Sequence, residues 1–169
     1  TELLRKLADA APNAGRPLFS GLLSLDWPGE VVGDLWRAAD LVREHRGDGH
    51  VCAWVSHDLT AIEVLLLTEA WWGLELNTYM TTRGWPGDDV LATIAELRER
   101  GLLDGDTLTP AGEELRGAVE AATDRGDSSK IDALSDDEFD ELFTLLQPWA
   151  KVIVDSGGYP VDPSQLTRR

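Results

Sequence analysis

Between Leu74 and Leu115 the chain alternates helix formers and breakers at spacings that leave few folds open. Leu76–Arg83 can form a short helix, and Gly84-Trp85-Pro86-Gly87 breaks it. Asp88–Arg100 follows as a second helix with Val90, Leu91, Ile94 and Leu97 on one face. Gly101 stops that helix. Leu102-Leu103 can then pair with Thr107-Leu108 across Asp104-Gly105-Asp106, and Thr109-Pro110 opens another helix. The order is helix, turn, helix, two-stranded wing, helix.

That order is a winged helix-turn-helix, a shape that offers its second helix to the major groove of DNA. The charges contradict it. Positions that should meet phosphate carry Asp88, Asp89, Glu96, Asp104 and Asp106. The formal net charge is −16, whereas binding a polyanion requires Lys and Arg to displace its counterions. A local basic face could still serve, but the nearest basic groups are the scattered pairs Arg43/Arg46, Arg98/Arg100 and Arg168/Arg169. DNA is therefore not expected as the partner.

A chain of 169 residues with 43% hydrophobic content fits one folded domain. The expected parts are a helical region over 18–73, the winged helix over 74–125, a C-terminal helix over 135–155 and a flexible tail over 160–169. No apolar run approaches the roughly 20 residues that span a membrane; Val64–Leu67 is cut off by Thr68 and Glu69. No secretory signal is visible, and the lone Cys52 excludes an internal disulfide, so a reduced cytoplasmic setting is expected. The first residue is Thr1 and the only methionine is Met80, which implies a removed start residue or a piece of a longer protein.

The flanking regions read as helix. Leu3–Ala11 is amphipathic, and Leu18–Leu25 packs as a helical turn after a Pro/Gly-rich connector. Pro28–Arg46 carries Val31, Leu35, Ala38 and Val42 at helical spacing, a stripe that reaches His45. Gly47-Asp48-Gly49 is expected to break this helix, with Asp48 capping a next one over His50–His57. Thr60-x-x-Glu63 is a capping box before Ala61–Trp72, which is apolar nearly all round and so central. Pro110–Arg125 is helical and Gly126–Ala133 reads as a polar loop. A second capping box, Ser135-x-x-Glu138, opens a helix to about Asp155. It should turn Phe139, Leu142, Phe143, Leu146, Trp149, Ala150 and Ile153 inward, with a kink at Pro148. The fold class is mostly α: a winged helix-turn-helix with a short wing, flanked by extra N- and C-terminal helices.

Two motifs, Leu97-Arg98-Glu99-Arg100-Gly101-Leu102-Leu103 and Leu108-Thr109-Pro110-Ala111-Gly112, resemble the MarR-type winged helix. The resemblance implies a ligand-responsive, dimeric regulator, from which this chain departs in its short acidic wing and in Asp88-Asp89. From about Pro17 to Pro160 the chain is also similar to a group of uncharacterised actinobacterial helix-turn-helix proteins. The match is carried by Arg43-Glu44-His45-Arg46-Gly47-Asp48-Gly49-His50, Thr82-Arg83-Gly84-Trp85 and Ala121-Ala122-Thr123-Asp124-Arg125. That likeness implies a further helical segment before Thr1 and brings no biochemical role.

All three histidines fall between positions 45 and 57. His50 and His57 lie two turns apart, roughly 10 Å along a helix axis, too far to share one ion, so neither a metal nor any other cofactor is expected. His45 with His50 across a Gly-rich turn is the one workable metal pair, and the motif around them is equally well explained as an architectural corner. Seven tryptophans are many for this length. Trp54, Trp71 and Trp72 fall near His50, His57 and Glu69, and Glu69 interrupts an apolar arc where a carboxylate must be hydrogen-bonded, paired or protonated. Aromatic walls with a few polar groups suit a small-molecule cavity, and core filling is the competing explanation. The expected ligand-binding set is His45, His50, Trp54, His57, Glu69, Trp71 and Trp72, for a small aromatic or apolar molecule. The alternative is a regulator whose homodimer presents Arg83, Arg98 and Arg100 to DNA. An enzyme or biosynthetic accessory protein has weak support: no catalytic residue is assigned, Cys52 sits on a hydrophobic helix, and Ser56-His57 adjacency makes no dyad.

Overall fold

The computed structural model describes residues 1–157, with the side chain of Thr81 excepted; the expected tail over 160–169 lies outside the described residues. Among the described residues seven α-helices and one small sheet follow in order: α1 (Glu2–Ala10), α2 (Pro17–Leu23), α3 (Val31–Val55), α4 (Ala61–Trp71), a 3-10 turn (Met80–Arg83), α5 (Gly87–Glu99), β1 (Leu103–Asp104), β2 (Thr107–Leu108), α6 (Pro110–Ile131) and α7 (Asp136–Asp155). The protein is a mostly α winged helix-turn-helix. Its described residues form two compact units, Thr1–Ala53 with Glu120–Ala150, and Trp54–Val119 with residues 151–157.

In the first unit, α1, α3 and α7 bury Leu4, Leu7, Ala38 and Leu142 together with Leu134. Ala8, Phe19 and Leu41 join α1, α2 and α3 in a second cluster. The sequence reading needs three corrections here. Gly47-Asp48-Gly49 does not break the helix, which runs on to Val55. Gly49 serves close approach instead: a Cβ there would fall 1.8 Å from the Arg16 guanidinium, which donates to the carbonyls of His45 at 2.7 Å and Gly126 at 2.6 Å. Asp48 caps nothing on its own helix; its Oδ2 accepts from Phe19 N–H at 2.9 Å, in the first turn of α2. Gly126–Ala133 is no loop either, because α6 continues to Ile131 with Asp127 and Lys130 turned inward.

The third correction concerns apolar stripes. Of the residues expected inward on α7, only Leu142 is buried, and Val31 on α3 stands in solvent. Periodicity marks an apolar face, but whether another element covers it is a tertiary matter. The Ser135 box is formed, with Glu138 Oε2 accepting from Ser135 N–H at 2.9 Å. Lys6 and that N–H hold the Glu138 carboxyl below its ordinary value.

Arg16 makes a test of the helical glycines. Gly→Ala inside a helix ordinarily stabilises by about 1 kcal/mol. At Gly49 the new methyl must displace a guanidinium held by two carbonyls, so Gly49→Ala is expected to destabilise by about 1–3 kcal/mol in urea unfolding. Gly47→Ala meets only the far end of the Glu44 side chain, at 3.1 Å, and should be neutral or stabilising. Equal behaviour of the two variants would refute the close-approach account.

In the second unit α4 packs against α5, β2 and the 3-10 turn. Val64, Leu66 and Leu67 of α4 are buried, as are Val90, Ile94 and Leu97 of α5; Leu91, expected with them, is exposed. The capping box of Thr60 and Glu63 is complete. The helix expected over Leu76–Arg83 is only the 3-10 turn, because Asn77 has φ of 67° and interrupts it, and Gly84 then ends the turn in the left-handed region. The first wing strand is shifted by one residue and the second lies where expected: Leu103 pairs with Leu108 and Asp104 with Thr107. Leu102 is used otherwise, its N–H bonding Leu97 O at 2.9 Å and its carbonyl accepting from Thr109 at 3.1 Å.

Candidate functional site

Glu69 ties the connector between α4 and α5 to the end of α4. It lies near the end of α4, only 1% exposed, because the apolar arc around it is packed on every side. Its two oxygens accept from backbone N–H groups of the connector, Oε2 from Asn77 and Oε1 from Met80, both at 2.7 Å. The carboxylate thus supplies acceptors to the left-handed residue that interrupts the connector and to the first residue of the 3-10 turn. Both carboxyl oxygens of this buried side chain thus have a hydrogen-bond partner.

The aromatic residues beside it have separate environments. The Trp72 ring meets Tyr79 edge-on, with centroids 6.4 Å apart. The Arg116 guanidinium lies 5.6 Å from the Trp71 ring centroid and donates through Nε to Thr68 Oγ1 at 3.1 Å. Trp71 also forms a wall of a cleft of about 330 Å³, with Leu74 and Leu108 apolar beside it and Glu75, Asp106 and Glu113 at its edge. Of the seven residues expected at a ligand site, Trp71 alone lines this cleft. Trp54 lies in the last turn of α3, and His57 follows the helix, with Nδ1 3.3 Å from the exposed Ser56 hydroxyl.

His45 and His50 belong to the first unit. His45 is fully buried on α3. Its Nδ1 lies 2.9 Å from Asp127 Oδ1 and its Nε2 lies 3.1 Å from the Pro12 carbonyl. Lys130 donates to Asp127 at 2.6 Å and to the Val42 carbonyl at 2.8 Å. Burial pushes the Lys130 ammonium below its ordinary value, against the pull of Asp127 and with the help of Arg16 and Arg46. His50 Nδ1 lies 3.0 Å from Thr123 Oγ1. His45 and His50 sit five residues apart on one unbroken helix rather than across a turn, and each is engaged by α6. Among the described residues no three metal-ligating side chains converge.

The face that would meet DNA is acidic and its cations are occupied. Asp88, Asp89 and Glu96 are exposed on α5. Arg98 donates to Asp106 and to the Gly105 carbonyl, each at 3.1 Å, so it ties α5 to the wing. Arg100 pairs with Glu63 of the α4 capping box, and Arg83 bonds the Tyr79 hydroxyl with its guanidinium 4.8 Å from that ring.

Sequence reasoning missed Arg16, Asp127 and Lys130 because the last two lie in a stretch as polar as any loop; the i,i+3 spacing of Asp127 and Lys130 was the available signal. It also missed Glu75, Leu108 and Glu113, which become neighbours only through the packing of the wing beside α4. No described helix is long and apolar enough to cross a membrane. No curated protein and no solved structure matches the chain. The model of a helix-turn-helix family matches residues 1–160, nearly the whole chain, and the protein belongs to that family.

Proposed function

We propose that this helix-turn-helix protein binds a small aromatic or apolar molecule, in ligand sensing or sequestration, and has weak or no affinity for DNA. The cleft beside Trp71 carries the reading. Its volume of about 330 Å³ falls in the range of small-ligand sites, and an indole wall with two leucines and a few polar groups is the composition such sites have. In this reading Trp71 stacks on the ligand. Glu69 and Trp72 hold the α4 end that carries Trp71, and His45 and His50 act as scaffold in the first unit. The low DNA affinity follows from the exposed carboxylates of α5 and from the occupation of Arg83, Arg98 and Arg100 by partners within the chain.

Calorimetric titration with indole and 2-naphthol tests the ligand half. Saturable binding that Trp71→Ala weakens at least tenfold is the expected result, and binding untouched by that substitution would place the ligand elsewhere. Anisotropy of a random-sequence duplex at low salt tests the other half, with no binding expected. Membership of a helix-turn-helix family favours one second reading, a MarR-like ligand-responsive regulator acting as a homodimer. Salt-sensitive duplex binding that Arg98→Ala abolishes would install it in place of the first.

A further inference from the structure

An apolar groove of about 320 Å³ lies on the first unit, bounded by α1, α3 and α7. Leu3, Leu35, Leu145, Leu146 and Trp149 line it. Of its lining residues Trp149 is 57% exposed, Leu145 56% and Leu146 37%. Apolar side chains exposed side by side along one groove are the kind of surface that marks an interaction site. Surface hydrophobics scattered singly need no explanation, but aromatic and aliphatic side chains ranged along one groove do.

Charge decides what the groove fits. From Asp136 to Ala150, α7 carries Asp136, Asp137, Glu138, Asp140 and Glu141 and no Lys or Arg. Glu2 and Glu141 stand on the groove itself. The cations of α1 are engaged, Lys6 by Glu138 at 2.8 Å and Arg5 by Asp34 at 2.6 Å, with Arg5 also stacked 3.8 Å over Trp27. A second copy of the chain would bring the same acidic edge and another net charge of −16 against it, and like charges across an interface cost affinity. A helix with leucine or phenylalanine along one face and lysine or arginine beside it satisfies both the apolar floor and the acidic edge. We infer that this groove docks a basic amphipathic helix of a partner protein.

An 18-residue fluorescein-labelled peptide of leucine and lysine in an amphipathic helical pattern is the probe, titrated into the full chain at physiological salt and read by anisotropy. Two controls accompany it: the same pattern with glutamate for lysine, and the same composition scrambled to remove the apolar face. The patterned Leu/Lys peptide should bind at least tenfold more tightly than either control. The double variant Leu146→Ser, Trp149→Ser, at two exposed lining positions, should weaken it at least tenfold with an unchanged circular dichroism spectrum. Equal binding of the scrambled peptide would reduce the effect to net charge and overturn the inference, as would indifference to the double variant. Sedimentation equilibrium showing a dimer that the double variant dissociates would also overturn it, by giving the groove to a second copy.

Discussion

Replacing Asp127 with alanine is expected to cost about 3–5 kcal/mol of stability, the usual penalty for removing one partner of a buried ion pair. Lys130 is only 1% exposed, so the ammonium left behind cannot turn to water. It would keep the Val42 carbonyl, and His45 would lose the carboxylate at its Nδ1. Urea unfolding followed by tryptophan fluorescence measures the loss, and a change under 1 kcal/mol would show that the pair is not buried as described. The double replacement Asp127→Leu, Lys130→Met should recover most of it, since apolar residues of similar volume often substitute for a buried pair without loss. Recovery should stop short of complete, because the His45 ring still lacks its acceptor. The pH dependence has a definite sign. Burial lowers the Lys130 pKa from its ordinary 10.5, so between the lowered value and 10.5 the unfolded chain binds more protons than the folded one. Unfolding free energy therefore rises with pH through that interval, and Lys130→Met should remove that part of the slope.

This cluster also shows where the sequence stops being informative. The helix-turn-helix order, both capping boxes and the wing were legible, since each rests on chemistry within a few residues: Thr60 with Glu63, Gly84 after Arg83, Pro110 after Thr109. The Gly47–Gly49 and Gly126–Ala133 segments were misread for one reason. Glycine and small polar residues signal a turn only when the alternative is solvent, and here the alternative is Arg16 passing over Gly49, with Asp127 and Lys130 closing on His45. Apolar periodicity failed in the opposite direction on α7, where Phe143 and Trp149 keep helical register with Leu142 yet remain exposed. Of the expected ligand residues, Glu69 stood out correctly as an anomaly, a carboxylate in an apolar arc. Local sequence could not say that its partners would be two peptide groups eight and eleven residues onward.

Glu69→Ala is expected to destabilise the protein by about 2–6 kcal/mol, because it orphans the Asn77 and Met80 N–H groups at a buried site, at about 1–3 kcal/mol for each unmet donor. Glu69→Gln should cost roughly half as much: an amide oxygen can accept one of the two bonds, and the amide nitrogen must face the other N–H donor. The graded pair distinguishes a structural bracket from a group that titrates for function. A bracket predicts that stability falls in the order glutamate, glutamine, alanine, and that amide exchange at Asn77 and Met80 accelerates in the same order. Binding of indole at the Trp71 cleft should weaken only in proportion to the opening of the connector, because Glu69 does not line the cleft. If Glu69→Gln left stability and exchange unchanged while altering ligand affinity tenfold, the carboxylate would be a contact group, and the assignment of the α4–α5 connector to it would fail. Glu69 ties the connector to α4 while α4 also packs directly against α5, so loss of the carboxylate should loosen the connector before it disturbs the core of Leu66, Leu67 and Leu97.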